Sequence, residues 1–448
     1  MNRLSRFEVP PVLKRFCFWV AGMTVLSELW AWAMSVFFHR HPFYGGTFSW
    51  IDSGEDLRIY GPRFLAFRTP HFWDPFDYPF TYPAPLAIAY WFLLKPPHAV
   101  QVYLALSILA LVTWAWYFSG QLAVRGLPRG RTFALLIVFL AASWPVRFLL
   151  ETGNLETLVA CILGVGVLAA MKGRWRLAAT LIGLAGSMKL YPLALLGVVL
   201  SQRRYREFAW GLGVAGLATL ASLAVLGPSV LEAQRHIDEG LLFVKQQYIF
   251  APVPAGLWFS HSLFNLVKIG VVVPDRMWHP LPSGEPGQLL RIVRQTTLMQ
   301  SALYVYTPLV TVAALVLYFR RIRNLPLLNQ VLALTICAVL LPPYSLDYTL
   351  VQLLVPFGLL CVFATDAWLR GHQPPRMAMC FACFAVIFTT GAYFDLNYGL
   401  EAQVRTLALL VLLAAVLRTP FDQRLDRPID RPTEGAINGP IDAAGERV

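Results

Sequence analysis

The chain has 448 residues, of which 57% are apolar, 14% aromatic and only 14% charged, with a mean hydropathy of +0.56. Soluble domains carry about 25% charged residues, so these charges are too few to cover two or three soluble domains of this combined length. Apolar runs such as 177–200 and 207–227 match the ~20 residues of a bilayer-crossing helix, which points to an all-α polytopic membrane protein and excludes soluble classes.

The formal charge of +12 is read as topology, with no nucleic-acid partner. Lys and Arg gather in short clusters between apolar runs: Arg125/Arg129/Arg131, Lys172/Arg174/Arg176, Arg203/Arg204/Arg206 and Arg320/Arg321/Arg323. Such clusters mark cytoplasmic loops, because basic residues are retained on that side during insertion. Cys380 and Cys383 lie inside an apolar run, where small packing residues are the better reading than a redox or metal pair.

In chain order, Arg3, Arg6, Lys14 and Arg15 precede an apolar run over about 17–38. That run is too long for a signal-peptide core and has no small-residue cleavage site, so an anchor helix with a cytoplasmic N-terminus is expected. Residues 39–97 then form a first large outer loop. Within it Pro83–Leu94 is about 12 residues, ~18 Å as helix against a ~30 Å hydrocarbon core. A short helix at the outer interface is expected there, since a crossing would send the next run, 98–124, out to deliver Arg125, Arg129 and Arg131 on the wrong side. Runs at 132–150 and 155–171 go out and return, with Glu151–Asn154 at the outer turn.

The apolar stretch 177–200 lies between two basic clusters, so a single crossing would misplace one of them. A hairpin of two short helices is expected, bent at Lys189-Leu190-Tyr191-Pro192, with Pro192 supplying the break. Irregular backbone at membrane depth is tolerated only inside protein or beside a cavity. The run 207–227 leads to a second large outer loop over 228–300. Further runs follow at 301–319, 325–341, 349–368, 377–394 and 404–417. Arg320–Asn324 and Arg370–Arg376 fall inside, Pro342–Tyr348 and Asp395–Leu400 outside. Residues 1–417 are thus read as one transmembrane domain of about ten crossings plus the hairpin, about 12 segments in all. Both termini are cytoplasmic, and the polar tail 418–448 is expected to be disordered.

Away from the basic clusters, polar groups collect on the outer side. Trp50-Ile51-Asp52-Ser53-Gly54-Glu55-Asp56 places an acidic cluster just beyond the first helix, followed by Phe72, Trp73, Phe76, Tyr78, Phe80 and Tyr82. This is either a solvated loop or a reaction centre with aromatic faces that stack on sugars or cover a lipid chain. Lys189, amid an apolar stretch, costs ~2.5–3.5 kcal/mol on insertion scales, so it faces a partner or a cavity. It is either a structural or snorkelling cation or one that holds a phosphate. Arg147, near the outer end of its helix, serves the same anion or snorkels. His261 lies in Phe259-Ser260-His261-Ser262-Leu263 and is either structural or catalytic. Asp347, in Pro342–Tyr348, is equally a helix cap. The histidines lack metal-ligand spacing. The absence of a phosphate-cradling glycine loop and of a nucleophile elbow argues against cytosolic nucleotide chemistry, and no metal site or cofactor is expected.

Four stretches resemble glycosyltransferase family 87, integral-membrane enzymes of the C-type fold that include polyprenol-phosphate-mannose-dependent mannosyltransferases. Asp56-Leu57-Arg58-Ile59-Tyr60 is similar to its Asp-x-x-x-Tyr element, and Phe80-Thr81-Tyr82-Pro83-Ala84-Pro85-Leu86 to its Tyr-Pro-Pro-Leu element. Pro145 to Asn154, then Lys189-Leu190-Tyr191-Pro192, follows its Pro…Gly-Gln-x-Asn…Lys-x-x-Pro order. Pro343-Tyr344-Ser345-Leu346-Asp347-Tyr348 looks like a late outer-turn motif. Ala84, Gly153-Asn154 and Tyr348 depart from the pattern; family members often carry His where Tyr348 stands.

The resemblance implies a C-type glycosyltransferase bundle in a membrane, such as the bacterial inner membrane, with its active site on the outer face. It implies transfer of a sugar, mannose by analogy, from a polyprenyl-phosphate donor to a lipid or glycan acceptor with inversion. Asp56 is the implied general base. Lys189, Arg147 and Arg58 are the implied donor-phosphate contacts. His261, Tyr60, Tyr82, Asn154 and Asp347 are the implied donor or acceptor contacts. A phosphate leaves without a general acid, so one carboxylate suffices where a glycosidase normally needs two. The alternatives are a lipid-linked sugar transporter or flippase, a non-catalytic subunit, and a same-fold transferase of arabinose or another sugar.

Overall fold

A computed structural model describes residues 9–38, 54–73, 79–95, 98–251, 257, 260–278, 285–371, 375–389 and 400–421. The expectations for 39–53, for most of the turn 395–400 and for the tail beyond 421 lie outside the described residues. Among the described residues every regular element is helical, and one isolated antiparallel bridge joins Ser260 to Leu346.

The first half contains α1 (Pro11–Phe38), α2 (Glu55–Leu65), α3 (Ala84–Leu94), α4 (Ala99–Ala123), α5 (Arg129–Ala142), α6 (Trp144–Thr152), α7 (Glu156–Met171) and α8 (Trp175–Met188). The second contains α9 (Leu196–Ser201), α10 (Tyr205–Leu226), α11 (Val230–Val244), α12 (Leu263–Trp278), α13 (Glu285–Arg320), α14 (Leu327–Leu340), α15 (Leu354–Leu369), α16 (Met377–Phe388) and α17 (Leu400–Arg418). Four described spans are long and apolar enough to cross a membrane: Ala99–Ala123, Tyr205–Leu226, Leu289–Asn324 and Asp347–Leu369. A fifth is added if α5 and α6, bent by 59°, count as one span. The chain is therefore a helical protein with membrane-span candidates.

Local chemistry explains the breaks. Ser143 is extended (ψ 121), and Pro145, at the start of α6, has no N–H to continue α5. The expected single run 132–150 is thus two helices. The bend in 177–200 falls where Pro192 requires it. Lys189 is extended (φ −146, ψ 136), and a 3-10 turn over Tyr191–Leu195 leads into α9. The chain folds back so tightly that a Cβ on Gly186 would lie 2.2 Å from Leu193 Cδ2. α8 packs on α10 through small residues, with Gly183 against the Gly211 carbonyl and Gly211 against the Ala179 carbonyl. One boundary differs from expectation: α13 begins at Glu285, well inside the expected outer loop 228–300.

The helix ends sort by charge. Arg176, at the start of α8, lies 4.9 Å from the Trp210 ring near the start of α10, so two basic clusters share one end. Arg125, just after α4, pairs at 2.7 Å with Asp366, near the end of α15. The opposite ends of α7, α8 and the span leading into α15 carry Glu156, Lys189 and Asp347. Between the two ends lies an aromatic core. Phe357 packs on Phe16, Phe139, Phe384 and Phe388 with ring centroids 4.7–5.6 Å apart. Cys380 and Cys383 are buried free thiols in α16.

Candidate active site

Backbone contact between two glycines builds this end of the molecule. Gly54, at the N-terminus of α2, donates its N–H to the Glu151 carbonyl at 2.7 Å. Gly153, in the turn after α6, has φ +69, and a Cβ there would lie 2.6 Å from Gly54 Cα. Only glycine permits that conformation and that approach without strain. The contact sets Asp56, in the first turn of α2, directly beside Asn154.

Asp56 Oδ2 accepts from the Tyr82 hydroxyl at 2.9 Å and from Asn154 Nδ2 at 2.6 Å. Asn154 Nδ2 also reaches the Tyr82 oxygen at 2.6 Å. On its other side, Asn154 Oδ1 accepts from Lys189 Nζ and from the Glu156 backbone N–H, both at 3.1 Å. Its main-chain oxygen accepts from Tyr103 at 2.9 Å. Lys189 Nζ then donates to Glu156 Oε2 at 2.6 Å, while Tyr191 and Gln352 donate to Glu156 Oε1. Lys189 also lies 4.9 Å from the Tyr348 ring centroid and 5.4 Å from that of Tyr82, within cation–π range. Asn154 and Glu156 are fully buried and Lys189 is 9% exposed, whereas Asp56, Tyr82 and Tyr191 are only partly covered. The Asp56 carboxylate is therefore accessible, beside the Tyr82 hydroxyl.

Tyr60 lies one helical turn beyond Asp56, its hydroxyl 3.0 Å from Thr81 Oγ1 and its ring 5.7 Å from that of Tyr82. Burial first, and then the charge of Asp56, push both phenols above their ordinary range. Both remain neutral, and Tyr82 donates to the carboxylate.

His261 and Asp347 form a second cluster. His261 Nδ1 is 3.1 Å from Asp347 Oδ1, and Asp347 Oδ2 accepts from Trp144 Nε1 at 2.8 Å and Arg405 Nη1 at 2.5 Å. His261 Nε2 faces Ser345 Oγ at 3.1 Å. The three residues around the carboxylate are at most 3% exposed. The cluster ties the late turn to α6, α17 and the segment before α12. Trp144 stacks on Phe148, and Phe148 on Tyr348, so aromatic packing connects it to Lys189.

The remaining cations lie apart from Asp56. Arg147 Nη2 pairs with Glu28 Oε1 of α1 at 2.5 Å. Arg58, about 200° around α2 from Asp56, lines a cavity of about 560 Å³ with His98 and Gln101. A second, apolar cavity of about 550 Å³ opens beside Leu190 and Tyr191, walled by Tyr306, Tyr318 and Leu334. The structure thus joins Asp56, Tyr82, Asn154 and Lys189, with Tyr60 adjacent, and pairs His261 with Asp347.

Glu156, Gln352, Arg405 and Trp144 were not legible in the sequence as partners of these clusters. The one available signal was that a buried lysine needs a counter-charge, and Glu156 stands two residues from Asn154. An acid in the first turn of a helix reads as an ordinary dipole partner, which hid it. No group of three or more His, Cys, Asp or Glu among the described residues is placed to hold a metal ion.

The model of glycosyltransferase family 87 matches residues 80–234, the region that supplies Tyr82, Asn154, Glu156 and Lys189. This match supports membership of family 87. The family implies glycosyltransferase activity, and its likeness fits the apolar helices of a membrane protein. No curated protein and no solved structure matches the chain.

Proposed function

We propose that this family 87 chain transfers a sugar, mannose in the first instance, from a polyprenyl phosphate to a hydroxyl of a lipid or glycan acceptor. The reaction takes place at the non-cytoplasmic face of a membrane such as the bacterial inner membrane. Both termini and the basic clusters lie on the cytoplasmic side, in a bundle of about 12 segments. The observation that carries this reading is the unbroken path Asp56–Asn154–Lys189, which holds a partly exposed carboxylate and a buried ammonium on either side of one amide.

In this reading Asp56 takes the proton of the acceptor hydroxyl as its oxygen attacks the anomeric carbon. The bond from that carbon to the phosphate oxygen breaks, and its electron pair stays on the phosphate. Lys189 offsets that charge from a water-poor site, where a fixed cation acts most strongly. Inversion follows from single displacement. Tyr82 and Asn154 orient the base, and Tyr60 completes the aromatic wall. Arg58 and the cavity beside it supply an outer contact for a phosphate, and Arg147 a more distant one. His261 and Asp347 act on donor or acceptor through the turn that carries Tyr348. The apolar cavity beside Tyr191 is the place for the first isoprene units of the donor.

Purified protein supplied with a panel of polyprenyl-phosphate-linked sugars tests the reading. Consumption of one donor, with the matching polyprenyl phosphate released, is expected. Movement of the intact donor across vesicles without cleavage would replace it with a flippase.

A further inference from the structure

Glu156 is an ionisable group for which the reaction above has no use. It is fully buried, and its carboxylate takes the Lys189 ammonium on one oxygen and Tyr191 and Gln352 on the other. These partners come from the hairpin bend and from the turn before α15. A pin between those elements needs hydrogen bonds, which a neutral amide also provides. The negative charge calls for a separate account.

An ammonium has three N–H groups. Asn154 Oδ1 and Glu156 Oε2 take two of them, and the rings of Tyr82 and Tyr348 flank the amine. One N–H is left for a ligand, and the ion pair that presents it is neutral overall. The charge of the ligand rises during the reaction. The donor is a phosphodiester with one negative charge, whereas the released polyprenyl phosphate is a monoester whose second ionisation has a pKa of about 6. A solitary buried lysine would therefore bind product more tightly than donor.

We propose that Glu156 is a positioning residue that subtracts charge from Lys189, so that the site releases the polyprenyl monophosphate product. This rests on the reading of Lys189 as the phosphate-binding cation. The acceptor proton goes to Asp56, and the electron pair of the broken bond stays on the phosphate. Glu156 changes neither, and acts only through Lys189.

The experiment uses the full-length protein in lipid nanodiscs, with a short-chain polyprenyl monophosphate as probe. Glu156→Gln is expected to bind the probe at least about fivefold more tightly, because a charge within 4 Å of the amine has been removed. It is also expected to show a burst of one turnover followed by slow release, with kcat falling more than kcat/KM. Weaker probe binding and no burst would show a structural pin and overturn the proposal. Glu156→Asp, which keeps the charge, is expected to retain the wild-type affinity for the probe.

A measurement on the unaltered protein covers the case in which both variants misfold. Its affinity for the probe is expected to change less than about threefold from pH 5.5 to 7.5 while the probe gains charge. The ionisable groups facing the amine over that range are Asp56, Tyr82, Glu156, Tyr191 and Tyr348. Tightening by more than about tenfold would contradict the proposal. Lys189→Ala separates the two claims. If it leaves probe binding intact, the phosphate-binding reading of Lys189 fails. If it abolishes binding while Glu156→Gln weakens it, only the claim about Glu156 fails.

Discussion

Asp56 and Lys189 lie on opposite sides of a single amide. Asn154 donates to the carboxylate at 2.6 Å and accepts from the ammonium at 3.1 Å. This relationship makes Asn154 the residue that sets the spacing between the proposed base and the proposed phosphate-binding cation. Its neutrality matters as much as its reach, because a carboxylate at this position would compete for Lys189 and repel Asp56.

Asn154→Ala is accordingly expected to lower transfer by about 10²–10³-fold, since misplaced catalytic groups lose that much. The buried partners it leaves unsatisfied cost about 1–3 kcal/mol of stability. Asn154→Asp is expected to be at least as inactive and no better folded, because it buries a second negative charge beside Asp56. Transfer rates and thermal unfolding of both purified variants check this pair of statements.

The glycine contact makes a backbone prediction. Gly153→Ala places a Cβ 2.6 Å from Gly54 Cα at a left-handed position, which costs about 1–3 kcal/mol. The N-terminus of α2 must shift to relieve it. Transfer is expected to fall by more than about tenfold with the protein still inserted, as read by kinetics on detergent-solubilised enzyme. Gly173, also left-handed, meets nothing within 4 Å of a Cβ, so Gly173→Ala is expected to leave transfer unchanged.

The Asp347 cluster answers to stability. Arg405 is 3% exposed and Asp347 is fully buried, so removing either charge leaves the other uncompensated, at about 3–5 kcal/mol. Arg405→Met is expected to lower the unfolding temperature sharply. An unchanged unfolding temperature would remove the cluster from the account of how the late turn is held.

Lys268 gives the pH dependence of the segment around α12. It is fully buried, and burial lowers its pKa from 10.5 to about 8. The folded state therefore binds fewer protons than the unfolded state between those values, and stability rises with pH across that window. Hydrogen exchange in α12 is expected to slow from pH 8 to 10, once corrected for intrinsic rates. Lys268→Met is expected to abolish that dependence.

Much of the helix layout was legible because apolar runs and basic clusters are long-range regularities. The hairpin at Lys189 is an example. Two basic clusters flank a stretch that crosses only once if straight, and Pro192 marks the place to bend. Asp56, Tyr82, Asn154 and Lys189 were legible through motif order. Glu156 was not, because its role depends on which helix end meets Lys189, and no local pattern encodes that meeting. Arg405 was hidden for the same reason: its partner Asp347 is remote in sequence. The early start of α13 escaped because residues 285–300 are polar enough to read as loop.

The most direct test of the central claim is transfer by Asp56→Asn, with purified wild-type and variant protein given polyprenyl-phosphate-mannose and a lipid acceptor. Asparagine keeps the shape of the side chain but cannot accept the hydroxyl proton. The account predicts a well-folded variant that still binds donor and transfers at least about 10³-fold more slowly. Transfer at the wild-type rate would contradict it.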